Sequence, residues 1–277
     1  MDGVSPRRRL VALLAAAVLA LVLGGVAVRA ATSGGGPAPA AALPAPAPQK
    51  PGPVLLLPGY GGSTSSLERL AVTLRARTGR DVRVVRAVGN GTGDLTAQAK
   101  ALASTVDTLI RQGAPSVDVV GYSAGGVVAR LWAVKFGGAT QARRVITLGS
   151  PHQGTEVAQL ASELAPDRCP TACQQLAPDS DLLRELPQGA VPGPTWVSLW
   201  TDRDDVVSPP SSGRLQGAVD VQLQSVCPDD QVRHSGLPDD PLVVGIVARA
   251  LGSTPLTTAP GSAECATLRR AGRAALG

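Results

Sequence analysis

One short stretch constrains this chain more than any other: Gly121-Tyr122-Ser123-Ala124-Gly125. It follows directly on the apolar run Val117-Asp118-Val119-Val120 and leads into Val127-Val128-Ala129-Arg130-Leu131-Trp132-Ala133. The first run reads as a strand and the second as a buried helix. A serine at the tip of a sharp strand-to-helix turn has a strained backbone, and the helix must double back close to the strand. Side chains two residues to either side of the serine would clash, so both positions call for glycine. The turn exposes Ser123 Oγ and leaves the Ala124 N–H free at a helix N-terminus, where it can face an oxyanion. Gly-x-Ser-x-Gly alone is a weak signal in a chain with 32 glycines, and a plain Gly-rich turn is the alternative. The flanking strand and helix favour the catalytic turn.

Short apolar runs alternate with helical stretches from Val54 onward. Strands are expected at Val54–Leu57, Val82–Val85, Val117–Val120, Arg144–Leu148, Thr195–Trp200 and Val219–Leu223. Helices are expected over Leu67–Thr78, from an Asp94 cap to about Gln112, and over Pro241–Leu251. In the second of these, Leu95, Ala99, Leu102, Val106 and Leu109 share one face. This alternation predicts an α/β fold, a mostly parallel sheet covered by helices on both faces. Ligands of such sheets sit beyond the carboxyl ends of the strands, so the loops after strands are where chemistry is sought.

Three of those loops carry suitable groups. The turn after Val120 carries Ser123, the loop after Trp200 reads Thr201-Asp202-Arg203-Asp204-Asp205-Val206-Val207, and the loop after the last strand carries His234. A serine hydroxyl is a poor nucleophile until a base takes its proton, and neutral histidine is the suitable base near pH 7. A carboxylate then fixes the histidine tautomer and stabilises the imidazolium. The chain order Ser, acid, His is that of the α/β-hydrolase fold. Only two histidines exist, and His152 falls before the acid loop, out of order. It is expected to structure the pocket rim, and His234 to be the base. Asp204 is expected to be the acid among the three neighbouring aspartates, because it precedes Val207 by three residues. The first oxyanion donor is the Ala124 N–H, and the second is expected from the Tyr60 N–H in the turn Gly59-Tyr60-Gly61 after the first strand.

The N-terminus has a different character. Arg7-Arg8-Arg9 precedes an uncharged apolar run, Leu10–Val28, and Val28-Arg29-Ala30 is an acceptable cleavage site before Ala31. Residues 1–31 read as an export signal or an uncleaved anchor attaching the chain to a membrane through residues 10–28. Residues 32–53 are Gly-rich and then Pro/Ala-rich, an extended linker. A catalytic domain is expected over 54–253 and a C-terminal tail tied by Cys265 over 254–277. The leader carries most of the net charge of +5. No basic stripe with interleaved aromatics is present, so nucleic acid is not an expected partner. Cys169, Cys173, Cys227 and Cys265 all lie outside the leader. Four cysteines in an exported chain suggest two disulfides in one of three pairings; Cys169–Cys173 with Cys227–Cys265 is the sequence-local one. A zinc site is the alternative, though the spacings do not suit paired C-x-x-C ligands.

The stretches LLLPGYGG, VDVVGYSAGGVVAR, VITLGSPHQGT, WVSLWTDRDDVVSPP and VRHSGLPDDPLV together resemble the small secreted bacterial lipases and esterases of the α/β-hydrolase superfamily. The resemblance covers most of residues 54–251. It implies a sheet of about six parallel strands with a modest cap, and a Ser-Asp-His triad acting through an acyl-enzyme. Two departures stand out. Pro58-Gly59 occupies the oxyanion turn where the family usually has His-Gly, and Tyr122 precedes the serine where the family often has His. The inserted segment from Glu156 to Pro194 is expected to form part of a pocket wall from short helical pieces.

The reading is therefore a monomeric serine hydrolase of small-molecule or lipid esters. It is expected outside the cytoplasmic membrane or anchored to its outer face, and to need neither metal nor cofactor. An acyltransferase or thioesterase with the same triad is the alternative. A non-catalytic binding protein on the same fold predicts a broken triad instead.

Overall fold

A computed structural model describes residues 50–273. The expected leader (1–31), most of the linker and the last four residues lie outside the described residues. Six strands form one sheet: β1 (Val54–Leu57), β2 (Val82–Val84), β3 (Val117–Tyr122), β4 (Ala142–Leu148), β5 (Thr195–Trp200) and β6 (Val219–Gln222). Their order is β2-β1-β3-β4-β5-β6 and all five pairings are parallel. β1, β3 and β4 are buried along their whole length or nearly so. Strands covered on both faces read as continuous apolar runs rather than alternating ones, which is how these segments stand in the sequence.

The crossovers are α1 (Ser65–Thr78), α2 (Leu95–Arg111), α3 (Ala124–Lys135) and a single turn, α4 (Gly138–Gln141). Asp94 caps α2 by accepting the Thr96 N–H at 2.9 Å, and the helix buries Leu95, Ala99, Leu102, Val106 and Leu109. One core packs α1 and the C-terminal helices on one side of the sheet. The other packs α2 and α3 on the opposite side. Both are dominated by Leu, Val and Ala.

After β4 come α5 (Glu156–Leu164), α6 (Thr171–Gln175) and α7 (Asp181–Arg184), the short helical pieces of the inserted segment. After β6 come α8 (Leu223–Val226), α9 (Pro241–Ala250) and α10 (Cys265–Arg273). The C-terminal region is held by more than Cys265. Gly245 and Gly272 let the α9 and α10 backbones meet: a Cβ on Gly245 would lie 2.1 Å from the Leu268 carbonyl oxygen, and one on Gly272 1.8 Å from that of Pro241. Among the described residues, no helix is long and apolar enough to cross a membrane.

At the amino ends of the strands, Asp118 is fully buried and accepts from Arg80 (2.6 Å) and from Arg143 Nε (3.0 Å). Arg143 also donates to the Leu251 carbonyl at 2.8 Å, joining β3, β4 and the end of α9. This leaves the opposite edge of the sheet for chemistry.

Candidate active site

Ser123 sits between β3 and α3 with φ 53° and ψ −124°, a conformation an L-residue adopts only under constraint. Such a residue costs on the order of 1–3 kcal/mol and persists where its surroundings over-determine it. The surroundings are backbone. A Cβ at Gly121 would come within 2.6 Å of the Gly125 carbonyl oxygen, and one at Gly125 within 2.6 Å of that of Leu57. The Ser123 N–H donates to the Leu148 carbonyl at 2.8 Å, which ties the turn to β4.

His234 enters from the turn that begins at its own position, after β6. Its Nε2 is 3.0 Å from Ser123 Oγ and its Nδ1 is 2.8 Å from Asp204 Oδ2. The histidine and aspartate side chains are 6% and 2% exposed, so bulk water does not compete for their contact. Asp204 Oδ1 accepts the N–H groups of Val206 (3.0 Å) and Val207 (2.7 Å), and Val207 is buried. The loop thus closes on one carboxylate oxygen and presents the other to His234. An ionised carboxylate only accepts, so the proton belongs on Nδ1, and Nε2 is left bare toward the serine. The neighbouring aspartates turn away: Asp205 accepts from Arg233 (3.1 Å) and Asp202 from Gln222 (2.6 Å), both at the surface. The Arg233 hydrogen bond holds the Asp205 carboxyl below its ordinary range.

Two further residues hold this arrangement. Gly149 has φ +55°, and a Cβ there would lie 3.2 Å from both Asp204 Oδ2 and His234 Nδ1 and 2.5 Å from Leu237. Tyr122 donates its hydroxyl to the His234 carbonyl at 3.2 Å, with the two rings 5.2 Å apart. Burial, helped by nearby carboxylates, pushes the Tyr122 hydroxyl up to about 12, so it stays a donor. Neither residue follows from motif spacing. The Gly149-Ser150-Pro151 turn and the Tyr in place of His were visible, but their contact with His234 is a product of the fold.

The turn after β1 passes over the serine, since a Cβ on Gly59 would lie 2.9 Å from Ser123 Cβ. Ala124 is the first residue of α3, where an amide has no acceptor within its own helix. Tyr60 and Ser123 border a cleft of about 270 Å³ whose walls include Pro151, Val157, Ala161, Leu176 and Val207. The inserted segment does supply part of this wall.

His152 is placed elsewhere. It is 3% exposed and lines a separate cavity of about 120 Å³ with Arg130 and Pro187, not the cleft beside Ser123. Ser198 donates to the Gly213 carbonyl at 2.6 Å, so Thr147, 2.9 Å away, donates to Ser198. Thr147 then accepts from His152 Nε2 at 3.0 Å, which leaves His152 Nδ1 without a partner among the described residues. Burial and the nearby Arg130 guanidinium hold His152 well below its ordinary pKa, and therefore neutral. Arg130 itself donates to the carbonyls of His152 (2.8 Å) and Pro187 (2.6 Å). The cysteines pair as Cys169–Cys173 and Cys227–Cys265, and all four sulfurs are spent in bridges rather than offered to a metal ion.

Residues 53–188 match the family model described as palmitoyl protein thioesterase. A search of curated proteins finds no match. Among solved structures, the chain is similar to Aspergillus fumigatus lipase B, with a TM-score of 0.63 and 17% identity. That likeness covers 84% of this chain and 64% of the lipase, so the chain spans just under two thirds of its length. A Listeria innocua gene product is similar with a TM-score of 0.55 and 16% identity, over 76% of this chain and 99% of that one. At such identities the likeness is one of fold, and it is to the architecture built above, a sheet of six parallel strands covered by helices. The chain has the α/β-hydrolase fold.

Proposed function

We propose that this chain is a serine hydrolase that cleaves carboxylic esters through an acyl-enzyme. The observation that carries the reading is the pair of contacts from Ser123 Oγ to His234 Nε2 (3.0 Å) and from His234 Nδ1 to Asp204 (2.8 Å). Ser123 attacks the substrate carbonyl while His234 Nε2 takes the hydroxyl proton. Asp204 holds the imidazole tautomer and stabilises the cation that forms. The carbonyl oxygen, now negative, is met by the N–H groups of Tyr60 and Ala124, each worth about 3–4 kcal/mol in the transition state. His234 returns the proton to the leaving alkoxide. Water then repeats the sequence on the acyl-enzyme and frees the acid.

The apolar walls of the cleft beside Ser123 favour an apolar acyl group on the substrate. The match to a palmitoyl protein thioesterase model favours a second reading, a thioester substrate on the same residues. Initial rates on p-nitrophenyl esters and on the matching acyl thioesters separate the two, and an added alcohol acceptor reveals acyl transfer as a new ester product. A chain inert to oxygen esters but active on thioesters would replace the first reading with the second. Residues 54–253 are proposed as the catalytic domain, and export is proposed from the leader, with two disulfides in support. Fractionation that finds the chain only in soluble cytoplasm would contradict export.

A further inference from the structure

One wall of the cleft stands apart from the rest of the fold. α5 is anchored at its start, where the Glu156 N–H donates to the Ser208 carbonyl at 2.7 Å and Thr155 Oγ1 to that of Val206 at 2.8 Å. Beyond that point, the hydrogen bonds of residues 157–168 run only within the segment 155–169. Ala158 is the one buried residue of the helix.

Yet α5 carries an apolar face. Val157, Leu160, Ala161 and Leu164 are spaced three and four apart and share one side. Val157 and Ala161 line the cleft, whereas Leu160 and Leu164 are 56% and 75% exposed. The apolar lining beside Ser123 therefore continues along the helix past the rim.

The far end of α5 is set at the corner Pro166–Pro170. Cys169, 1% exposed, sits in that corner and is bonded to Cys173 on α6, which itself lines the cleft. α6 is fixed to the body of the domain. The Ala172 N–H donates to the Thr92 carbonyl at 3.1 Å, and Gln175 accepts from the Leu95 N–H (2.8 Å) and donates to Asp94 (2.7 Å). The bridge locks the corner onto this fixed helix.

We propose that the Cys169–Cys173 bridge, by fixing this corner and with it the far half of α5, sets the acyl-chain length that the cleft takes. The proposal rests on the acyl-ester reading above. A short acyl group needs only the part of the cleft formed by Pro151, Val207 and the anchored start of α5. A long one also needs the half of α5 that bears Ala161 and Leu164. Because the bridge closes a loop of sequence separation four, it restrains the unfolded chain less than the Cys227–Cys265 bridge does, so its loss is expected to free the corner without unfolding the domain.

The test compares wild type with Cys169→Ser, which breaks the bridge and leaves the cleft-lining Cys173 in place, using p-nitrophenyl acetate and p-nitrophenyl palmitate. We expect kcat/KM on the palmitate to fall at least fivefold while that on the acetate stays within twofold. Trypsin cleavage after Arg168, followed by mass spectrometry, should accelerate at least fivefold. Ala161→Trp, with the bridge intact, should reproduce the loss on palmitate without faster cleavage. An unchanged palmitate-to-acetate ratio in either variant overturns the proposal, as does an equal loss on both esters. Should wild type turn over neither ester, the ester-hydrolase reading fails on its own, and unchanged cleavage after Arg168 still overturns the bracing role.

Discussion

Asp204 meets His234 at 2.8 Å through one carboxylate oxygen while its other oxygen closes the turn it sits in, on the N–H groups of Val206 and Val207. The same side chain therefore fixes its own loop and the imidazole. Asn at this position can still close the turn but cannot enforce the Nδ1–H tautomer. Asp204→Asn should lower kcat by roughly 10³–10⁴ with little change in stability. Asp202→Asn and Asp205→Asn, both surface changes, should stay within about tenfold of wild type. Steady-state kinetics on the three variants checks this, and a large loss at Asp205 instead would move the acid by one residue.

The Asp204–His234 contact has Gly149 packed beneath it. Gly149→Ala places a methyl group 3.2 Å from both partners and 2.5 Å from Leu237, on a backbone with φ +55°. We expect kcat to fall at least tenfold and the melting temperature to drop, since a strained left-handed position costs about 1–2 kcal/mol before any clash is counted. Unchanged kinetics in Gly149→Ala would mean that the pair has room the geometry does not show.

His152 and His234 should separate cleanly in activity and in acid stability. His234→Ala should remove nearly all turnover and His152→Ala should retain most of it. The folded-state pKa of His152 is depressed by burial and Arg130, so below pH 6.5 the unfolded chain binds a proton that the folded one does not. Stability should therefore fall as pH drops through 6.5, by about 1.4 kcal/mol per pH unit from this group. Urea denaturation between pH 7.5 and 5 should show a shallower fall in His152→Gln than in wild type. Equal slopes would contradict a neutral, buried His152.

The two disulfides should contribute unequally. On loop-closure entropy, the separation of 38 between Cys227 and Cys265 and of four between Cys169 and Cys173 correspond to about 4 and about 2 kcal/mol. Thermal denaturation of the two double-serine variants checks the ranking, which a larger loss at Cys169–Cys173 would reverse.

Much of the architecture was legible in the sequence because the strands are covered on both faces and so appear as unbroken apolar runs. The Asp94 cap and the five-residue face of α2 were equally plain, since a helix with one wet side keeps its period. The start of β4 was not. The strand was expected from Arg144, whereas it begins at Ala142, and its arginines are buried, Arg143 on Asp118 and Arg144 on the carbonyls of Gly252 and Ser253. α10 lies in the stretch expected as a C-terminal tail, because Leu268 is the one large apolar side chain in its nine residues and gives little signal. At the site, the spacing from Asp204 to the inward Val207 was readable. The bracing of His234 by Tyr122 and Gly149 was not, because it joins loops far apart in sequence.

Ser123 is proposed to be an activated nucleophile. A fluorophosphonate probe, which bonds covalently to such serines, tests it directly by intact mass and peptide mapping. One adduct per wild-type chain is expected, located at Ser123, and none in Ser123→Ala or in wild type unfolded beforehand. An absent adduct on folded wild type, or one that persists in Ser123→Ala, would contradict it.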